Sequence, residues 1–185
     1  MKFRNIRKEY QGDYISYYKI GYETEGGSEK IYEMISRDPE IKNQDDLITK
    51  KSDAVIMIIH DSTGERILLN FEYRMAVGEW VYNFPAGLID EGENVSEAAE
   101  RELREETGLK LTDIKEFWKE SYSAVGFSNE MGSVVIGTAE GTIQKSDSEA
   151  EEIKAEWYTK EEVRKLLSEY RFAARTQAYC ALWSR

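Results

Sequence analysis

The first fifty residues carry no long apolar run. Two alternating stretches, 14–22 and 30–36, flank the pair Gly26-Gly27 and predict a β-hairpin. Two strands alone are rarely stable in water, so this piece needs the rest of the chain or a partner subunit. Residues 38–51 are charged and broken by Pro39, which predicts a linker. At Asp53 the texture changes. Residues 54–59 form an unbroken apolar run rich in β-branched side chains, the pattern of a strand buried on both faces. The turn signal Asp61-Ser62-Thr63-Gly64 leads into a strand over 67–73, and a short extended stretch over 79–84 closes at Pro85-Ala86-Gly87. Residues 94–107 predict a helix, with Val95, Ala98, Ala99 and Leu103 as its apolar stripe. Asn94 and Glu97 form its capping pair, and Gly108 is its stop. Strands over 115–123, 133–139 and 153–158 follow. A capping box at Thr159 and Glu162 opens a second helix reaching about Tyr170, and 173–183 predict a last one. Strands dominate with helices between them, which makes the chain an α+β protein built as a layered sandwich. The boundary falls near residue 50: a small N-terminal β-domain over 1–50 and the main domain over 51–185.

Charge narrows the chemistry. Among 185 residues, 25 Lys and Arg face 36 Asp and Glu, a formal charge of −11. That excludes a general nucleic-acid binder held by phosphate contacts. No apolar run approaches a membrane span, and the start MKFRNIRKEYQGDY lacks the apolar stretch of a secretory leader. The lone cysteine, Cys180, excludes an intrachain disulfide framework and suggests the cytoplasm. The lone histidine, His60, excludes a His-pair zinc site. Both read as packing residues. Chemistry in this chain has to use carboxylates.

The carboxylates concentrate in one place. From Asp90 to Glu106 eight acids stand against two arginines, Arg101 and Arg104. Glu102 and Glu106 are one helical turn apart, with Glu105 beside them, and like charges at that spacing repel. A solvated acidic face would show the same density. Closely spaced oxygen ligands equally suit Mg²⁺ or Mn²⁺, which keep waters for a phosphate to displace.

Spacing decides between the two. Gly87, Glu93, Arg101, Glu102, Leu103, Glu105, Glu106, Gly108 and Leu109 match G-x5-E-x7-R-E-U-x-E-E-x-G-U, where U is aliphatic. This segment resembles the Nudix box of hydrolases that cleave nucleoside diphosphates linked to another moiety. The resemblance implies a Nudix-type α/β/α sandwich with a mixed sheet and a loop–helix–loop on it. It further implies Mg²⁺ or Mn²⁺ as cofactor, Glu102 and Glu106 as direct ligands, and Glu105 facing the cations with them. Arg101 would hold the glutamates in orientation by ion pairing, and Glu93 would support the loop.

The flanks resemble the ADP-ribose and nucleotide-sugar pyrophosphatase branch of that family. It carries an arginine where this chain has Arg74, and Pro-Ala-Gly running into the box. The likeness gives Arg74 a contact to the pyrophosphate, work for a permanently charged fork, and makes the Ala86 carbonyl a metal ligand. This chain departs from the branch at Asn83, where a glutamate is usual. Ser121-Tyr-Ser-Ala-Val-Gly126-Phe-Ser-Asn-Glu130 resembles the branch's substrate loop with Val125 in place of proline, and puts Glu130 near the substrate or the loop's anchor. The acidic stretch 146–153 matches the loop that supplies a water-activating glutamate and a further ligand. Glu149 is the base and Glu151 the ligand, with the reverse assignment, or Glu152, open. Residues 31–37 resemble a segment giving nucleoside contacts, which makes Tyr32, Glu33 and Arg37 candidates for adenosine. A homodimer is implied as well.

The expected reaction is hydrolysis of a nucleoside diphosphate sugar, ADP-ribose giving AMP and ribose 5-phosphate. Other diphosphates on the same chemistry are ADP-hexoses, GDP-mannose, dinucleotides and oxidised nucleotides. A silent nucleotide-binding Nudix domain is the alternative from another class, although such proteins commonly lose a box glutamate and this chain keeps all of them.

Overall fold

The polar N-terminal stretch folds into three strands: β1 (Lys2–Gln11), β2 (Ser16–Glu23) and β3 (Glu29–Ser36), antiparallel in that order. The computed structural model describes residues 1–48, 51–147 and 151–185. β1 lies outside the predicted hairpin, and its register explains why. Irregularities between Phe3 and Asn5 and between Lys8 and Tyr10 break the two-residue alternation that marks a strand. Only Phe3 and Ile6 turn toward the small core of Tyr18, Ile20, Met34 and Ile41. Tyr18 is wholly buried there, and its hydroxyl donates to the Asp38 carbonyl at 2.8 Å. The stretch predicted as a plain linker contributes Ile41 to that core and a turn of 3-10 helix at Asp45–Leu47.

The chain divides into two compact units: Met1–Asp53 with Glu120–Gly132, and Ala54–Lys119 with Ser133–Arg185. The first unit therefore takes in a segment that the sequence division leaves with the main domain. Several bonds hold it, among them three at its Gly126–Glu130 end. The Ile35 amide donates to the Phe127 carbonyl at 2.9 Å, the Tyr32 hydroxyl donates to the Gly126 carbonyl, and Arg37 pairs with Glu130 at 2.7 Å.

The second unit is built on the mixed sheet. Its strands are β4 (Ala54–His60), β5 (Arg66–Arg74), β6 (Glu79–Asn83), β7 (Ala86–Leu88), β8 (Lys110–Tyr122), β9 (Met131–Glu140) and β10 (Ile153–Thr159). The order is β10-β5-β4-β9-β8, with β6 paired to β5 and β7 to β4. Alternation along β4 splits its apolar run between two cores. Val55, Met57 and Ile59 pack with Ala98, Ala99 and Leu103 of α1 (Val95–Thr107). Ile56 and Ile58 pack on the other face with Val163 of α2 (Lys160–Glu169) and Cys180 of α3 (Ala174–Trp183). Helices on both faces of a sheet give the expected α/β/α sandwich.

α1 starts and stops as its sequence dictates. The Asn94 side chain accepts from the Ser96 and Glu97 amides at 2.9 and 3.1 Å, and Glu97 returns a bond to the Asn94 amide at 2.9 Å. Gly108 ends it in the left-handed region at φ 73°, open to glycine at little strain.

Candidate active site

The loop ahead of α1 is tied down by one guanidinium. Arg101 holds both Glu93 oxygens at 2.8 Å and the Leu88 carbonyl at 2.9 Å, and reaches Glu102 at 2.8 Å and Glu105 at 3.5 Å. The Arg101 hydrogen bonds, helped by the Asp90 amide, pull the Glu93 carboxyl down to about 2. Glu105 is braced by Arg104 too, at 3.3 Å.

One turn further along α1 the environment reverses. Glu106 is buried, and burial raises its carboxyl well above the ordinary range, with the charges of Glu72 and Glu102 adding to the effect. Its Oε2 accepts from the Asn70 amide at 2.9 Å and the Ala86 amide at 3.2 Å. Burial likewise raises Glu102 in spite of Arg101, and Glu72 in spite of Asn83 and Arg74. Of the three, Glu106 alone has no ion pair among the described residues.

β7 shapes the floor of the site. The Met57 amide donates to the Pro85 carbonyl at 2.8 Å, so Met57 and Pro85 are a hydrogen-bonded pair. Ala86 opposes Ile56 at the next position, where an antiparallel ladder turns its backbone groups away from the partner strand. That frees the Ala86 amide for Glu106 and turns its carbonyl away from β4 as well. At Gly87 a Cβ would overlap the Glu102 carboxylate, so only glycine leaves the space that side chain occupies.

The structure gathers Arg74, Ala86, Arg101, Glu102, Glu105, Glu106 and Glu151 in the second unit. Arg74 is half-exposed at the end of β5, 3.7 Å from Glu72. Glu151 is exposed just ahead of β10, and its charge acts on Glu72, Glu102 and Glu106 alike. Glu149 lies outside the described residues. Tyr32, Glu33, Arg37 and Glu130 fall in the first unit, where Arg37 and Glu130 pair with one another. Glu33 faces Lys19 across β2 and β3 at 3.7 Å, and its hydrogen bond to Tyr17 pushes that phenol up to about 12.

Sequence reasoning missed Glu72 and Asn70. The signal was present. Leu68 faces the α1 core, so Asn70 and Glu72 continue the inward phase of β5. Two polar residues in the buried phase of an apolar strand mark a site rather than a core.

The donors are hard oxygens, and Gly87 keeps open the position of one of them, so the residues fit a divalent cation of the Mg²⁺ or Mn²⁺ type. Among the described residues no three acidic side chains already stand at ligating separation. Glu102 is drawn to Arg101 and Glu106 to Asn70, so a cation has to compete with those bonds.

A sheet sandwich with uncompensated glutamates at the end of a capped helix defines a class of proteins that handle anionic phosphates through cations. The comparisons narrow that class. A family model described as the NUDIX domain matches residues 50–178. The chain belongs to the Nudix family. "Nudix hydrolase 19, chloroplastic" of Arabidopsis thaliana is 33% identical over 67% of this chain and 28% of its own length. "ADP compounds hydrolase NudE" of Escherichia coli is 39% identical over 38% of each chain. "NAD-capped RNA hydrolase NudC" of Mycobacterium tuberculosis is 30% identical over 62% of this chain and 35% of its own. The likeness thus spans only part of these curated relatives. A crystal structure of an ADP compounds hydrolase superposes with a TM-score of 0.74 at 20% identity, covering 99% of this chain and 92% of that one, which shows the shared fold.

Proposed function

We propose that this chain hydrolyses the diphosphate bond of a nucleoside diphosphate sugar in a divalent-metal-dependent reaction, with ADP-ribose giving AMP and ribose 5-phosphate. The observation that carries the reading is Glu106, a buried carboxyl on which the charges of Glu72 and Glu102 act and which has no cationic partner among the described residues. Such a group is destabilising in a protein that does not use it. The relatives from Escherichia coli and Mycobacterium tuberculosis are named for ADP compounds and for NAD-capped RNA, and both ADP and NAD carry an adenylate in a diphosphate. The net charge of −11 favours a small nucleotide over a long nucleic acid.

Glu102, Glu106, Glu151 and the Ala86 carbonyl would hold the cation. When bound, Mg²⁺ or Mn²⁺ supplies Lewis acidity at the diphosphate and lowers the pKa of the attacking water. The chain's own residues do the rest. Arg74 binds the diphosphate oxygens and offsets charge that builds on phosphorus. Arg101 orients Glu102 and Glu105 through its ion pairs and keeps the loop from Leu88 to Glu93 in place. Glu149, with Glu151 or Glu152 as the other assignments, takes the proton of the water as its oxygen attacks phosphorus and the bridging P–O bond breaks. Tyr32, Glu33 and Arg37 contribute nucleoside contacts, and Glu130 fixes the loop beside them. The active form is a homodimer. Among the described residues no helix is long and apolar enough to cross a membrane, and the buried free thiol of Cys180 suits the reducing cytoplasm.

The test is a panel of ADP-ribose, ADP-glucose, GDP-mannose, a diadenosine polyphosphate, NADH and an oxidised nucleoside triphosphate, each with Mg²⁺ or Mn²⁺ and with EDTA. Chromatography of the products should show AMP and ribose 5-phosphate from ADP-ribose, abolished by EDTA. Cleavage of none of these compounds by folded protein would overturn the reading.

A further inference from the structure

Glu72 has a hydrogen-bonded setting that reaches back to the C-terminal helix. Asn83 donates Nδ2 to Glu72 Oε1 at 2.9 Å. The other end of that amide is fixed twice, because Asn83 Oδ1 accepts from the Phe84 amide at 2.9 Å and from the Thr176 hydroxyl at 2.8 Å. A backbone amide can only donate, so turning the side-chain amide over would lose the Phe84 bond and set its oxygen against the Glu72 carboxylate. Thr176 is itself buried in α3, and its hydroxyl also accepts from the Phe84 amide at 3.2 Å. Glu72 is thus held in one orientation by a relay of polar groups from a helix on the far face of the sheet.

What that relay orients is an oxygen without a donor. Asn83 and Arg74 both address Oε1, and among the described residues no hydrogen bond is made to Oε2. Asn70, wholly buried and two residues back on the same face of β5, gives Nδ2 to Glu106 and leaves Oδ1 unpartnered among the described residues. Holding a buried amide oxygen without a partner, and a carboxylate oxygen without a donor, near the Glu106 carboxyl is unfavourable unless a cation, or water carried by one, completes the set.

We propose that Glu72 is a further carboxylate ligand for the divalent cation, and that Asn83, oriented by Thr176 of α3, is the residue that positions it. This rests on the hydrolase reading of the same site and adds to it a ligand and a support from outside the loop–helix–loop. Thr176 acts through Asn83 and is a positioning residue.

The experiment measures Mn²⁺ binding by paramagnetic resonance, and melting temperature with EDTA, in the full-length chain. The variants are Glu72→Gln, Asn83→Ala, Thr176→Val and Thr176→Ser, with Glu106→Gln for reference. Glu72→Gln should weaken Mn²⁺ binding by about 10–100-fold while raising the metal-free melting temperature, because a repelling charge has gone. Thr176→Val should weaken Mn²⁺ binding about threefold or more, a smaller loss because it acts through Asn83, with Thr176→Ser restoring it. If Thr176→Val does not fold, Asn83→Ala carries the positioning arm with the same expected loss. A loss below tenfold in Glu72→Gln, or a fall in its metal-free melting temperature, overturns the proposal, since a purely structural carboxylate behaves that way. If Glu106→Gln abolishes binding while Glu72→Gln leaves it intact, only this inference falls. If the wild-type chain binds no Mn²⁺ and cleaves no diphosphate, the hydrolase reading falls with it.

Discussion

Glu93 and Glu106 are the same residue type on one loop and helix, and their surroundings are opposite. Glu93 is locked in a two-pronged bond by Arg101, and its carboxyl sits at about 2. Glu106 is buried against Glu72 and Glu102, has only neutral amide donors, and is raised well above the ordinary range. The first is compensated and serves the architecture. The second has no cationic partner among the described residues, and folding alone disfavours an ionisable carboxyl buried there. Acidic density therefore does not identify a working carboxylate; the absence of a counter-charge at a buried position does.

The sharpest break of that comparison is Glu106→Gln. The amide keeps the shape and loses the charge, so the hydrolysis rate with Mg²⁺ should fall at least about a thousandfold, while the metal-free protein melts no lower than wild type. A rate within tenfold of wild type, measured on folded protein, would end the assignment of Glu106 to the reaction. Arg101→Met attacks the compensated side. It removes the bonds to Glu93, Glu102 and the Leu88 carbonyl together, so stability should drop by about 1–3 kcal/mol, and the rate should fall roughly a hundredfold as Glu102 loses its orientation. A calorimetric melt beside the kinetics separates the two: Glu106→Gln spares stability and Arg101→Met does not.

Much of this site is legible in the sequence, for a physical reason. The loop–helix–loop is local. Its caps, its glycines and its arginine act over one or two helical turns, so fixed spacing carries the geometry, as at Asn94 with Glu97 and Arg101 with Glu93. β4 was legible because burial on both faces needs an unbroken apolar run. The rest depends on register between distant strands. β1 escaped notice because its irregular pairing erases the alternation. β7 escaped because three residues carry too little pattern. Glu72 meets Glu106 only through the pairing of β5 with its neighbours and the docking of α1, which no local spacing encodes. The segment 120–132 joins the first unit through Arg37 and the edge of β3, again a non-local event.

Titration sharpens the same comparison with a smaller effect. A carboxyl whose value is raised on folding holds its proton more tightly in the folded chain, so acidifying from neutrality favours folding. Glu72, Glu102 and Glu106 all act in that sense. Glu93 acts in the other: its contribution is complete above the ordinary carboxylate range, about 4.3, and is lost as pH falls toward about 2. Metal-free protein should therefore melt higher at mildly acidic pH, about 5.5, than at about 8, and lose stability again below about 4. Saturating Mg²⁺ should flatten the upper branch alone, because the cation takes the place of the protons at the raised carboxyls. A melting curve whose upper branch is unchanged by Mg²⁺ and by Glu106→Gln would mean that general charge repulsion, and not this cluster, sets the slope.

The smallest effect is expected where a carboxylate is paired and also lies among residues proposed for the nucleoside. Glu130 and Arg37 are 2.7 Å apart, with about a third of each side chain accessible. A pair so placed stabilises by no more than about 1 kcal/mol, so Glu130→Gln should barely move the melting temperature. Its diagnostic value is kinetic. If the pair only closes the loop from Ser121 to Glu130 onto β3, the variant leaves KM and kcat within twofold of wild type. If Arg37 also contacts the nucleoside, breaking the pair leaves kcat alone and raises KM severalfold for ADP-ribose, with no change for a substrate that lacks the base, such as a simple diphosphate ester. The comparison of those two substrates separates a ligand contact from a loop fastening, which neither the strength of the ion pair nor the melting temperature can do.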